Sequence, residues 1–328
     1  MRPMGSGRTA TVSIVIPVLN EARNLEVILP QLPRVHQVVL VDGRSVDDTV
    51  ATARRIMPGI TVVTQTRRGK GNALACGFEA ATGDIIVMFD ADCSADPREI
   101  PAFVDALLDG ADFAKGSRYV RGGGSQDLTI LRSAGNRALN GLANTLMRTR
   151  YSDLCYGYNA FWRDILPELR LPETIIEGTT PDTKIWGDGF EIETLLACRV
   201  TAAKLEVAEV PSVELPRMYG ASNLNTFRDG ARVLRTIVAE QKQQRVAAPR
   251  LAEPSHARSG RPVLEVVHGG APASAVDRRR HQPRAAHASQ GSEQIYSVGG
   301  GGRGRLTRGQ AVVGAAPISA VERAVEQE

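Results

Sequence analysis

Asp90-Ala91-Asp92 is the tightest grouping of candidate chemistry in this 328-residue chain. In extended backbone the two aspartates point to one side. Their carboxylates then repel unless a cation or a donor lies between them. Paired hard oxygen ligands suit Mg²⁺ or Mn²⁺, ions that also take phosphate oxygens. Alone, such a pair could be loop decoration before the helix start at Asp96-Pro97-Arg98-Glu99, where Asp96 would be the N-cap, Pro97 the first helical residue and Glu99 the third. It has company, however: Glu21 follows the apolar run Val12–Val18, and Asp42 follows another at 38–41. A second polar group comprises Arg118, Arg121, Arg132, Asn136 and Arg137. Arg132 and Asn136, four apart, share a helix face, and guanidinium suits bidentate phosphate recognition. The third group is Asp188, Glu191 and Glu193, expected to open a helix through Cys198. Carboxylates in a first helical turn satisfy the macrodipole, so capping competes there with chemistry.

These groups need a scaffold that gathers strand ends. β-rich runs at 12–18, 38–41, 61–65, 85–89 and 112–115 alternate with helical patterns at 25–32, 47–57 and 72–81. The run at 85–89 is apolar at every position, as expected of a central parallel strand buried on both faces. Alternation of this kind predicts an α/β fold with an open, mostly parallel sheet flanked by helices. In such sheets ligands bind beyond the carboxyl ends of the strands, where Glu21, Asp42, Asp90 and Asp92 would converge. Gly122-Gly123-Gly124 reads as a mobile loop. Phe227, Ala231, Leu234 and Val238 form an apolar stripe on a helix at 227–241, expected to pack on the core.

The runs IVIPVLNEARNL (14–25), VDGRSVDDT (41–49), RRGKGNAL (67–74) and MFDADCSADP (88–97) resemble the family 2 glycosyltransferases of GT-A fold. GSRY (116–119), ILRSAGNRALNGLANTLM (130–147), DGFEIETLL (188–196) and RMYGASNLNTFRDG (217–230) extend the resemblance, which is strongest to the polyprenyl-phosphate sugar synthases. It implies an inverting, metal-dependent transferase with a UDP-, GDP- or dTDP-sugar donor and Mg²⁺ or Mn²⁺. Pro17, Asn20 and Glu21 would line the nucleoside pocket, Asp42 would contact the base, and Lys70 and Gly71 would lie near the donor. Asp90 and Asp92 would hold the metal and diphosphate, with Arg217 and Ser222 in a late basic loop beside it. Ser94 stands where the lipid-linked synthases often carry glutamine. Arg118 and Arg132, with Asn136, would hold the phosphate of a polyprenyl-phosphate acceptor. A soluble phosphorylated metabolite or natural-product intermediate is the alternative acceptor. A hydroxyl acceptor needs a general base, which Asp188, Glu191 or Glu193 would supply; a phosphate acceptor does not.

Composition bounds the remaining readings. Hydrophobic residues make up 42% and charged residues 23%, in the globular range. A single GT-A domain is expected over 10–243. Residues 244–328, rich in Arg, Gly, Ala and Pro, have Tyr296 as their one aromatic and are expected to be mostly disordered. Four of the five histidines fall in that tail, leaving His36, so histidine catalysis is not expected. The four cysteines form no C-x-x-C pair and read as reduced thiols. No 18-residue apolar run or secretory leader is visible, so a cytoplasmic protein is expected, with any membrane contact peripheral at the inner face. No basic patch interleaved with aromatics suggests nucleic acid in the folded part. The competing classes are a non-catalytic nucleotide-sugar binding protein and an Arg-rich nucleic-acid binder acting through the tail.

Overall fold

The structure is a computed structural model describing residues 10–220 and 226–247, with side chains of the last helix described from 228 to 244. Ser222 and most of the expected tail lie outside these residues. Strand β1 (Val12–Val18) leads into helix α1 (Ala22–Ile28), then β2 (Gln37–Asp42), α2 (Thr49–Ile56), β3 (Thr61–Thr64), α3 (Lys70–Ala80) and β4 (Ile85–Met88). All but α1 follow the sequence pattern within one or two residues; α1 begins three residues before the expected 25–32 begins and ends four residues before it ends. All four side chains of β4 are at most 1% exposed. Burying each such aliphatic side chain contributes about 1.5–3 kcal/mol, which explains why this short run holds the middle of a sheet.

Next come α4 (Ile100–Leu108), β5 (Phe113–Ser117), β6 (Gly124–Ser125), α5 (Ile130–Met147), β7 (Asn159–Trp162) and α6 (Leu166–Leu169). The chain then forms α7 (Ile192–Ala202), β8 (Val207–Pro211), β9 (Val213–Glu214) and α8 (Thr226–Ala247). Seven strands make one sheet in the order β3-β2-β1-β4-β7-β5-β8. β7 runs antiparallel to both β4 and β5, and the other pairings are parallel. The fold is thus α/β with a mixed, mostly parallel sheet. Phe161 on β7 stacks on Phe113 at 5.7 Å and meets Phe78 of α3 edge-on at 5.2 Å, joining the sheet to the α3 layer. β1, β2 and β4 are parallel neighbours, so their carboxyl ends open on one edge.

Several expectations change. The glycine run expected as a mobile loop ends in strand: Gly124 and Ser125 pair with Val213 and Glu214 in a small second sheet. Asp96 caps as expected, accepting from the Arg98 N–H, but Glu99 bonds Ser212 and the Val213 N–H instead of turning back to the cap. The helix expected to start at Asp188 starts at Ile192, because residues 185–191 are drawn into turns by side-chain bonds described below. α8 does not pack through the predicted stripe. Ala231, Leu234 and Val238 are exposed, while Val233, Thr236, Ile237 and Glu240 are buried. Val233 and Ile237 join Ala143 and Met147 of α5 and Ala197 and Cys198 of α7 in a second core cluster. The helix carries two apolar stripes, and its partners select the β-branched one. It also runs past Gln243 to Ala247. Among the described residues no helix is long and apolar enough to cross a membrane. All four cysteines are unpaired thiols.

Candidate active-site cleft

A cleft of about 860 Å³ opens at the carboxyl edge of β1 and β4, within the size range of small-molecule sites. Pro17 and Glu21 reach it from the end of β1, Asp90 and Asp92 from the end of β4, Lys70 from the start of α3, and Arg217 from the segment after β9. Six residues selected from four separate sequence motifs therefore share one wall.

Each cation on that wall bridges two carboxylates. Lys70 Nζ lies 2.8 Å from Asp90 and 2.7 Å from Glu193. Burial alone would lower the lysine pKa, but the two carboxylates outweigh it and hold the ammonium well above its ordinary value. Arg217 donates to Glu21 at 2.9 Å and to Asp92 at 3.0 Å. Burial opposes its charge too, and Asp92 and Glu21 prevail. Asp92 Oδ1 accepts from the Ser94 N–H and hydroxyl at 3.0 and 2.6 Å. Among the described residues no three His, Cys, Asp or Glu side chains gather as a metal cage. Two half-buried carboxylates with hard oxygens fit an ion completed by a ligand's oxygens, and do not fit one held by the protein alone.

Asn20 and Asp42 act one step back from the cleft. Asn20 Oδ1 accepts from the Val46 N–H at 2.8 Å, and Asp42 Oδ1 accepts from the Ser45 N–H at 3.0 Å. Together they hold the turn that presents Gly43 and Arg44 to the cavity. Asn20 itself has a φ of 58°, a left-handed conformation that asparagine tolerates better than most residues.

Gly71 is a packing position. Its N–H donates to the Asp188 carbonyl at 2.8 Å, and a Cβ here would lie 1.8 Å from the Gly187 carbonyl oxygen. That contact fastens the first turn of α3, hence Lys70, to the segment before α7. Gly71→Ala is expected to lower stability by about 3 kcal/mol, the upper end for overpacking. A urea midpoint equal to wild type would refute this.

The three acidic candidates before and within α7 have different partners. Asp188 is 1% exposed and forms a two-point pair with Arg67, at 2.9 and 3.0 Å. Arg67 Nη1 donates to the carbonyls of Glu173 and Thr174. Glu193 is tied to Lys70. Glu191, 3% exposed, uses Oε1 to accept from the Gly187 and Gly189 N–H groups, and its Oε2 has no partner. Asp188, one of the three candidate bases, is therefore an anchor.

Arg118, expected to clasp an acceptor phosphate, faces carboxylates instead. It donates to both Asp153 oxygens at 2.6 and 2.9 Å and to Glu214 at 3.0 and 3.1 Å, above the Tyr156 ring. Asn136 donates to the same buried Asp153 at 2.9 Å. Arg132 is partly exposed, 3.6 Å from Asp127. None of the three lines the cleft. Both Arg118 partners lie in segments whose approach sequence spacing does not reveal.

Sequence spacing does not single out Arg67, although it stands in the RRGKGNAL run, nor Lys184, Arg228 and Arg232, which also line the cleft. Arg228 and Arg232, four apart on one helix, were the available signal.

Comparison with known proteins places these features in context. The family model described as Glycosyl transferase family 2 matches residues 13–170. A dolichol-phosphate mannosyltransferase of Pyrococcus furiosus is 36% identical over 120 residues, covering 34% of this chain and 34% of that protein. An uncharacterized glycosyltransferase of Mycobacterium tuberculosis is 39% identical over 107 residues, covering 33% of this chain and 48% of the relative. The chain thus spans between a third and a half of the length of these relatives. Among solved structures, glucosyl-3-phosphoglycerate synthase from Mycobacterium tuberculosis, in complex with Mn²⁺, UDP and glucosyl-3-phosphoglycerate, superposes with a TM-score of 0.54 at 22% identity. The superposition covers 71% of this chain and 80% of that one, a likeness of GT-A fold.

Proposed function

From the membership of this chain in glycosyl transferase family 2, carried by residues 13–170, we propose that it transfers a sugar from a nucleoside-diphosphate sugar, with inversion, to an acceptor hydroxyl. The observation that carries this reading is the paired wall of the cleft, Lys70 with Asp90 and Arg217 with Asp92. Two cations beside the carboxyl ends of parallel strands suit the oxygens of a diphosphate. The two aspartates would hold Mg²⁺ or Mn²⁺ against the same oxygens, and that ion would offset charge on the departing nucleoside diphosphate. Pro17, Gly43 and Arg44 lie where the nucleoside would enter.

The acceptor reading follows from the acidic residues. Glu191 Oε2 is buried and without a hydrogen-bond partner, whereas Asp188 and Glu193 are held by cations. A carboxylate oxygen that no hydrogen bond engages supports a hydroxyl acceptor, although Glu191 is buried and does not itself line the cleft. The engagement of Arg118 by Asp153 and Glu214 weighs against the polyprenyl phosphate expected from sequence, which relied on that guanidinium.

Asp92→Asn tests the donor half. Weakening charge-assisted contacts of this kind costs about 1.5–3 kcal/mol, so Mn²⁺-dependent affinity for UDP or GDP should fall about tenfold or more, with the melting temperature retained. Equal Mn²⁺-dependent affinity in calorimetry for the variant and wild type would sink the assignment.

A further inference from the structure

The cleft is also lined by an amide side chain without a partner. Gln65 is the first residue after β3, and its backbone is fixed on both sides. Its N–H donates to the Asp42 carbonyl at 3.0 Å, and its own carbonyl accepts from Arg44 Nη2 at 3.4 Å. Gln65 is 8% exposed and lines the cleft beside Pro17, Gly43 and Arg44. Its side-chain amide has no hydrogen-bond partner among the described residues. An amide offers one acceptor oxygen and two N–H donors. Leaving them unmet in a buried place costs free energy that a ligand edge can recover. A Cβ on Gly43 would lie 3.5 Å from Gln65 Oε1, so the glycine leaves that side of the amide uncovered. Asp42, to which the sequence resemblance gives the base contact, is engaged elsewhere. Its Oδ1 accepts from the Ser45 N–H, and the residue does not line the cleft.

We propose that Gln65 reads the nucleobase of the donor and selects bases with a ring N–H beside a carbonyl. This rests on the donor reading above, which brings the nucleoside in at Pro17, Gly43 and Arg44. The amide oxygen would accept from the ring N–H while the amide nitrogen donates to the neighbouring carbonyl. Uracil, thymine and guanine present that edge in their ordinary tautomers. Cytosine and adenine present an amino group beside a bare ring nitrogen. A turned amide could serve that second edge, but Arg44 opposes it. The Arg44 guanidinium, held beside Gln65 by the bond to its carbonyl, has donors only and so favours a carbonyl oxygen over an amino group.

The test is calorimetric titration of UDP, CDP, GDP and ADP into the full chain with Mn²⁺ present, for wild type and Gln65→Met. Uracil and cytosine match in ring size, as do guanine and adenine, and the hydrogen-bonding edge differs within each pair. Methionine keeps the length of the side chain and loses the amide, and circular dichroism checks the fold. Wild type is expected to prefer UDP to CDP and GDP to ADP by about tenfold, as a two-point base contact gives. Gln65→Met should bring each pair close to equal by losing affinity for UDP and GDP. Gln65→Glu, a second variant of the same shape, cannot donate to a carbonyl and should also weaken UDP and GDP more than CDP and ADP. Asp42→Asn, which keeps an oxygen for the Ser45 N–H, should retain the preference. Its loss in Asp42→Asn but not in the Gln65 variants would return the base to Asp42 and overturn the proposal. Wild type binding both members of each pair alike overturns it too. So does a common loss for all four nucleotides in the Gln65 variants, which marks a structural role. Binding of none of the four by wild type is a separate failure, which removes the donor reading and the proposal with it.

Discussion

Replacing Asp188 with alanine is expected to destabilise the protein by about 3–5 kcal/mol, because it strands the Arg67 guanidinium without its counter-charge in the interior. Both side chains are 1% exposed, and two hydrogen bonds at 2.9 and 3.0 Å join them. The Ile185 N–H, which donates to Asp188 Oδ2 at 2.9 Å, loses its acceptor in the same variant. Urea unfolding followed by circular dichroism should show the loss as a lower midpoint. Asp188→Asn keeps the shape and one acceptor oxygen while removing the charge, so it should fall between alanine and wild type. The effect should also reach the cleft. The Arg67–Asp188 pair and the Gly71 contact hold the start of α3 to the segment before α7, and Lys70 projects from that start. A midpoint shift in Asp188→Ala within the roughly 0.5 kcal/mol of an ordinary surface substitution would show that water reaches the pair and that it does not anchor the cleft.

This anchor illustrates which parts of the molecule can be read from sequence. Glu21, Asp90 and Asp92 were legible because each ends an apolar run, and the continuous burial implied by 85–89 places such runs side by side in a parallel sheet. The antiparallel strand β7 was not. Asn159–Trp162 is four residues long, buried on every position, and carries no alternation to announce its direction. The roles of charged residues were harder still. Arg118 looks like a phosphate ligand until Asp153 and Glu214, 35 and 96 positions away, are seen around it. Asp188 looks like a base until Arg67, 121 positions away, is seen to hold it. Local spacing shows that a charge exists and which face it shares. Only the tertiary arrangement shows whether a second charge has already neutralised it. α8 presents the same ambiguity with apolar residues. Leu234 and Val238 make as good a stripe as Val233 and Ile237, and the choice between them lies on α5 and α7.

The same distinction, a carboxylate already held against one that no hydrogen bond engages, gives the largest expected effect on activity. Glu191→Gln should lower turnover by about 10²–10⁴-fold, the range for removing a general base, while leaving donor affinity and stability close to wild type. The amide oxygen of glutamine can keep the role of Oε1, accepting from the Gly187 and Gly189 N–H groups at 3.2 Å. What changes is Oε2, the atom without a partner, which becomes an amide nitrogen that cannot take a proton from an acceptor hydroxyl. Glu193→Gln provides the contrast. It weakens the bond to Lys70 at 2.7 Å, so its effect should appear in donor affinity, because Lys70 also holds Asp90. Single-turnover measurement of nucleoside diphosphate release, paired with calorimetry of UDP binding, separates the two patterns. A phosphate acceptor is already anionic and needs no base, so near-normal transfer by Glu191→Gln would remove the hydroxyl acceptor and return the polyprenyl phosphate as the substrate to pursue.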